Sequence, residues 1–431
     1  MSGKNIRFLA VFIGTIYCLC GCGGGEKNQQ STDSGNTEAK MPFFREDYET
    51  MTYNDEEYKE ALSRPYWLGN VLYNETAIPF SRDGEICASL LYKPERVIRV
   101  MDQTLSVVYE EGKDYIVDKE NKRLTIPSGS SISALSPLVA EAQEIPDGYE
   151  KISGGSATEN KYQVWNSGGK GNFVYTEGPL FYGKYLSVTY AYDIEELSGN
   201  SFNRYDENYL PTVRAKLRAG ENITLGVLGD SISAGCSSTG DVLHVLPNTP
   251  GYVNQLKTEI ERVYGVNVEV KSGARGGTTS GWLLTEDGKS SLKTVRDACP
   301  DLCVIAYGMN DGAPNPVNYG EAFGENISAL MTRIKMASPT CEFILVNSFP
   351  CNELYKRQNG IFDEYLEALS FLESEGGGSV KTVDMQSVGL DFLSVKRYCE
   401  IASNNVNHPN DFMHRVYAMN IMTALYDYKN E

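Results

Sequence analysis

The amino-acid sequence predicts an α/β protein: a doubly wound parallel-sheet domain over residues 206–431, preceded by an antiparallel β-sandwich of jelly-roll type over 42–205. Three observations predict it. Past residue 206, short continuous apolar runs end abruptly in small polar turns, as strands covered on both faces do. Between those runs, apolar residues recur at three- and four-residue spacing, the pattern of helices packed by one stripe. Ahead of 206, helical patterning is sparse, and short β-branched and aromatic runs succeed one another with turn residues between them.

At the start of the chain, Lys4 and Arg7 precede the apolar run Phe8 to Cys20, which closes on Leu19-Cys20-Gly21-Cys22. A charged stretch, a short apolar segment and small residues at its end read as a secretory signal over 1–22, since the run is short for a membrane span. Leu19-Cys20-Gly21-Cys22 resembles a bacterial lipobox, which makes Cys22 the lipidated first residue of the mature chain. Cys20 is a second candidate, and a plain cleaved signal needs neither. Residues 23–41 hold almost nothing apolar and form a flexible tether. The expectation is export and anchorage to the cell envelope, at the outer membrane or cell surface, through an N-terminal lipid.

In the β module, Arg96 to Met101, Thr104 to Tyr109, Asp114 to Val117 and Arg123 to Ile126 read as strands, with Glu120-Asn121-Lys122 as a turn. Tyr185 to Tyr192 alternates at period two, and Glu56 to Leu62 is a short helix. The module's many tyrosines either stack on sugar rings or fill and rim the sheets, and packing is the favoured role.

In the second half, Val253, Leu256, Ile260 and Val263 make one helical stripe. Phe323, Ile327, Leu330 and Ile334 make another, and Phe362, Tyr365, Leu369 and Leu372 a third. The strands are Ile223–Leu228, Val268–Val270, Leu302–Tyr307, Glu342–Val346 and Val380–Val383. Five parallel strands with helices on both faces bury an ample core. Ligands of such sheets bind at the carboxyl edge of the strands.

That edge carries the chemistry. Gly229-Asp230-Ser231 follows the first strand, so that Gly229 permits a tight turn and a serine stands at the edge, followed by small residues and a helix. Gly273-Ala274-Arg275-Gly276-Gly277-Thr278-Thr279 follows the second, where glycine lets backbone N–H groups approach a ligand. Gly308-Met309-Asn310-Asp311 follows the third and offers an amide. Asn405-Val406-Asn407-His408-Pro409-Asn410-Asp411-Phe412-Met413-His414 places imidazoles before and within a terminal helix. A lone Gly-Asp-Ser is more often an ordinary helix cap; four such blocks in chain order are far more specific.

These four blocks resemble those of the SGNH hydrolases, also called GDSL esterases, over roughly the second half of the chain. The resemblance implies a flavodoxin-like three-layer α/β/α fold. It also implies Ser231 as nucleophile, His408 as base, and an oxyanion hole from the Ser231 N–H, the Gly276 N–H and the Asn310 side chain. Asp230 and Asp311 would brace the turns on either side, and Trp282 lines a sugar cleft or the core. The implied reaction is acyl transfer to water through an acyl-enzyme, without cofactor or metal.

One position departs from the family. Its aspartate three residues before the histidine is Asn405 here, and an amide orients an imidazole without stabilising the imidazolium by charge. Three arrangements remain open: Asn405 or a backbone carbonyl in a weaker site, another carboxylate such as Asp384, or Asp411 and His414 as the working pair. His408 is preferred because His-Pro-Asn immediately before a helix fits the pattern. The chain has only 3 histidines, and the third, His244, lies in the loop after Ser231.

The formal net charge of −18 argues against nucleic acid and anionic membrane surfaces as partners. Past Cys22 the cysteines are Cys87, Cys236, Cys299, Cys303, Cys341, Cys351 and Cys399, an odd number without a regular framework, so several are expected to be small buried residues. By analogy, a surface lipoprotein with an added β module resembles esterases that remove acetyl groups from polysaccharides, so acetylated carbohydrate is the expected substrate. A lipase or thioesterase of the same fold is the alternative within the class. Outside it, the Asn405 departure admits a non-catalytic glycan-binding lipoprotein.

Overall fold

The computed structural model describes residues 41–166, 171–312, 319–355 and 361–430. The expected signal, the lipobox with Cys22 and nearly all of the tether lie outside the described residues.

A short helix α1 (Asp55–Ala61), capped by the Asn54 side chain, opens the β-rich part. Seven strands follow: β1 (Val71–Ala77), β2 (Phe80–Arg82), β3 (Glu85–Ser89), β4 (Pro94–Asp102), β5 (Val108–Tyr109), β6 (Ile116–Asp118) and β7 (Arg123–Thr125). A one-turn helix α2 (Pro137–Ala140) leads to β8 (Glu150–Lys151), β9 (Lys161–Asn166), β10 (Asn172–Tyr175) and β11 (Leu186–Tyr192). Where the sequence suggested a two-sheet sandwich, these strands form three small sheets: β1-β11-β4-β5, β2-β3-β7-β6 and β10-β9-β8. Every pairing is antiparallel except β8 with β9.

One local reading shifts. The expected strand from Thr104 to Tyr109 shrinks to β5, because Asp102 Oδ1 accepts from the N–H groups of Ser106 and Val107, each at 2.9 Å. A carboxylate that takes backbone donors competes with the strand ladder. The strand that alternates at period two, β11, is buried along its whole length. On one side Tyr192 stacks on Tyr92 at 4.9 Å; on the other, Thr189 Oγ1 donates to Asn74 Oδ1 at 3.0 Å. Here the tyrosines fill the core.

The second half alternates as expected: α3 (Pro211–Arg218), β12 (Ile223–Gly229), α4 (Tyr252–Tyr264), β13 (Val268–Ser272), α5 (Lys289–Asp297), β14 (Leu302–Tyr307) and α6 (Gly320–Lys335). Then come β15 (Glu342–Asn347), α7 (Ile361–Glu375), β16 (Val380–Asp384), α8 (Met385–Leu393) and α9 (Asp411–Met422). The sheet is wholly parallel in the order β13-β12-β14-β15-β16, a flavodoxin-like winding. Every residue of β14 and β15 is buried, which is why Leu302–Tyr307 and Phe343–Val346 read as apolar runs. Helices α6 and α7 pack side by side, as do α4 and α9.

The two halves share one continuous core, which runs from Tyr66, Leu90 and Tyr190 to Val227, Phe343 and Met413. Buried polar groups join them too. Lys396, 2 % exposed at its side chain, pairs with Glu75 of β1 and stands 3.9 Å from Glu400. Arg415 of α9 donates to the Tyr73 carbonyl at 2.6 Å.

Candidate active site

β12 runs out at Gly229, where a Cβ would lie 2.1 Å from Ser233 Oγ and 2.9 Å from the Ala306 carbonyl; only glycine fits the turn. Ser231 sits two residues on and is 4 % exposed. The helix expected close behind it is replaced by a turn, with Gly235 at φ 80° and Ser237 at φ 65°, and the next α-helix begins only at Tyr252. Asp230 braces the turn by accepting the Ile232 N–H at 2.9 Å. Burial pushes its carboxyl up to about 7, opposed by the Ile232 N–H, while the Asp311 charge adds to the rise.

The glycine turn after β13 is tied to the end of β12: Gly273 N–H donates to the Val227 carbonyl at 2.8 Å and Arg275 N–H to the Gly229 carbonyl at 3.0 Å. Gly276 thereby comes so near the serine that a Cβ on it would lie 3.8 Å from the Ser231 Cβ. Beyond β14, Asn310 Nδ2 donates to the Thr278 carbonyl of the same turn at 3.0 Å, which leaves one amide hydrogen for a ligand. Asp311 fastens the arrangement, accepting from Ser280 N–H at 3.0 Å and Ser280 Oγ at 2.5 Å.

His408 stands just before α9 with Nε2 3.0 Å from Ser231 Oγ. Its loop is shaped by Asn404, whose Oδ1 accepts the N–H groups of Val406, Asn407 and His408, each at 3.0 Å. The ring's other nitrogen, Nδ1, lies 3.1 Å from Glu177 Oε1 without the alignment of a good hydrogen bond. Such contacts often tighten only once substrate is bound.

Asn405 does not orient the imidazole. It takes the left-handed backbone conformation, φ 60°, and its Nδ2 donates to the carbonyls of Val174 at 3.0 Å and Ala140 at 3.3 Å. Asp384 is no substitute: it caps α8 and accepts from Asn347 Nδ2 at 3.1 Å. The alternative pair is also engaged elsewhere. Asp411 accepts from Thr239 N–H at 2.9 Å and Thr239 Oγ1 at 2.7 Å, and burial pushes its carboxyl up to about 6. His414 accepts the Tyr252 N–H at Nδ1, 3.3 Å, and donates from Nε2 to the Cys236 carbonyl, 3.0 Å. Complete burial pulls its pKa down to about 4, so the ring is a neutral strut. His244 is exposed, with Nδ1 3.0 Å from the Gly240 carbonyl. Trp282 is half-buried under the Arg275 guanidinium, 5.1 Å from its ring centre.

Glu177 is the residue that sequence reasoning missed. Burial alone would raise its carboxyl, but the charge and ring of His408, with Asn404 and Tyr175, outweigh this and hold it below the ordinary carboxylate value. No spacing rule points to it, because it lies in the β-rich part, ahead of the nucleophile. A groove of about 1260 Å³ between α6 and α7, lined by Met336 and Phe371 among others, holds none of these groups.

A little under half of the chain, residues 227–416, matches the model of the GDSL-like Lipase/Acylhydrolase family. These residues form a GDSL-like lipase/acylhydrolase domain. The domain spans β12 to α9 and so contains Ser231, Gly276, Asn310 and His408 but not Glu177. Among solved structures, a two-domain esterase active on acetylated mannans is similar at 20% identity over 51% of this chain and 54% of its own, with a TM-score of 0.39. This chain thus covers about half of that one. An acetylxylan esterase from Geobacillus stearothermophilus is similar at 20% identity over 49% of this chain and 98% of its own, TM-score 0.39. A lipase/acylhydrolase from Enterococcus faecalis is similar at 19% over 46% and 93%, TM-score 0.36. Likeness of this degree says nothing of substrate. No curated protein matches the chain.

Proposed function

We propose that the chain is a serine esterase that removes O-acetyl groups from carbohydrate. The observation that carries the reaction is the 3.0 Å contact between His408 Nε2 and Ser231 Oγ, at the sheet edge of a GDSL-like lipase/acylhydrolase domain. His408 takes the Ser231 proton as the hydroxyl attacks an ester carbonyl. The N–H groups of Ser231 and Gly276 and the Asn310 amide receive the oxyanion. His408 then returns the proton to the leaving alcohol, and water attacks the acyl-enzyme by the same route in reverse.

Two features support a small acyl group on a sugar. Ser231 is nearly buried, which suits acetyl better than a long chain. Beside the site, Trp165 stacks on Tyr175 at 4.5 Å and lies 5.2 Å from Tyr355, a half-buried aromatic group of the kind whose flat faces suit pyranose rings. The non-catalytic binding alternative rested on Asn405; with a carboxylate beside His408 Nδ1, the amide no longer argues against chemistry. Export and lipid attachment at Cys22 complete the reading and rest on the Lys4 to Cys22 pattern.

The test is acetate release by the full chain from an activated acetyl ester and from acetylated xylan and mannan, beside Ser231→Ala and His408→Ala. Both variants should fall to background, about a millionfold at most, with folding intact. Activity no higher than that of Ser231→Ala would refute the esterase reading; hydrolysis of the activated ester alone would refute the carbohydrate assignment.

A further inference from the structure

We infer that Glu177, supplied by the β-rich N-terminal part, is the positioning carboxylate of a Ser231–His408–Glu177 triad, so that this part completes the active site. The inference rests on the esterase reading above.

The sequence lacks the family's acid at 405, and the structure offers a carboxylate to the same ring nitrogen from the opposite side of the chain: Glu177 Oε1 is 3.1 Å from His408 Nδ1. The carboxylate is held as an anion by polar contacts. Asn404 Nδ2 donates to Oε1 at 3.1 Å, the Tyr175 hydroxyl to Oε1 at 3.2 Å and Ser237 Oγ to Oε2 at 3.4 Å. Asn404 also fixes the His408 backbone, so one side chain sets both members of the pair.

The backbone that presents Glu177 is pinned on both sides. Its own N–H donates to the Ala157 carbonyl at 2.7 Å, and Thr176 Oγ1 donates to the Ala157 and Lys161 carbonyls at 3.0 and 2.8 Å. Next along the chain, a Cβ at Gly178 would lie 1.9 Å from the Glu159 carbonyl, so this close approach requires glycine. The oddity at 405 then has a physical reason. The Asn405 amide holds the Val174 carbonyl, three residues from Glu177, and the Ala140 carbonyl; an aspartate there would set a carboxylate against two carbonyl oxygens. An amide at 405 docks the strand that brings the acid.

In the reaction, Glu177 accepts the Nδ1–H of His408, which keeps Nε2 free to take the Ser231 proton, and it offsets the imidazolium charge; the proton stays on His408. The other titratable groups around the pair are Asp230, His414, Tyr175 and Cys236.

The experiment measures kcat and KM against pH for acetyl-ester hydrolysis by the full chain, with Ser231→Ala as baseline. Glu177→Gln should lower kcat by about 100- to 10,000-fold with KM little changed. It should also move the acid limb of the kcat/KM profile down by roughly one pH unit, because the imidazolium loses its counter-charge. Glu177→Asp should move the limb back toward native. Adding Asn405→Asp to Glu177→Gln should rescue nothing. Unchanged kcat and limb in Glu177→Gln, or rescue through position 405, would overturn the inference while leaving the esterase reading intact. Absence of activity above Ser231→Ala in the native chain would instead sink that reading. A readout independent of the variants is the low-field proton resonance of a histidine Nδ1–H shared with a carboxylate, recorded on the native protein with a boronic acid bound at Ser231 to hold the ring protonated; its absence there would also overturn the inference.

Discussion

Replacing His414 by glutamine separates the two imidazoles of the C-terminal block. The ring is completely buried, accepts the Tyr252 N–H and donates to the Cys236 carbonyl, and its pKa lies at about 4 against an ordinary 6.5. A histidine whose folded pKa is depressed takes up its proton later than the unfolded chain does. Stability is therefore retained above about 6.5 and lost as pH falls toward about 4. At about 1.4 kcal/mol per pH decade, that gap amounts to about 3 kcal/mol. Glutamine offers one acceptor and one donor in similar places but takes up no proton. Urea unfolding at a series of pH values, read by tryptophan fluorescence, should show the native chain losing about 3 kcal/mol relative to His414→Gln from pH 7 to pH 4. Carboxylates common to both chains cancel in that difference. Acetyl-ester turnover at pH 7 should stay within about threefold of native, since the ring reaches neither Ser231 nor substrate. Parallel stability curves would refute the buried neutral ring. A well-folded but inactive His414→Gln would refute His408 as base and restore Asp411 and His414.

Removing the amide in Asn310→Ala should lower kcat about 100- to 1000-fold with KM nearly constant, because the donor acts on the charge that develops in the transition state. Steady-state kinetics on the same ester check this, with urea unfolding to show a stability loss of about 1 kcal/mol for the lost bond to the Thr278 carbonyl. Lys396→Ala leaves Glu75 and Glu400 buried without their cation and should destabilise the chain by about 3–5 kcal/mol; adding Glu75→Gln should recover part of this in urea titrations at pH 7.

The parallel sheet was legible in the sequence, because strands buried on both faces carry near-continuous apolar runs. Leu302–Tyr307 and Phe343–Val346 announce themselves in that way. The sequence also singled out Ser231, Gly276, Asn310 and His408, which the fold brings to one sheet edge, since each lies in a turn shortly after a strand or before a helix whose pattern is local. Side chains with no local rule were left to the tertiary structure. Asn405 and Asp384 stood at plausible positions, yet the Asn405 amide is taken up by carbonyls from the β-rich part and the Asp384 carboxylate by the first N–H groups of its own helix and the Asn347 side chain. Glu177 comes beside His408 because the β-rich part packs on the sheet domain, through the shared core and through buried bonds from Lys396, Arg415 and Asn405. A carboxylate so far from its imidazole along the chain leaves no periodicity to read, for its place is set by packing between segments.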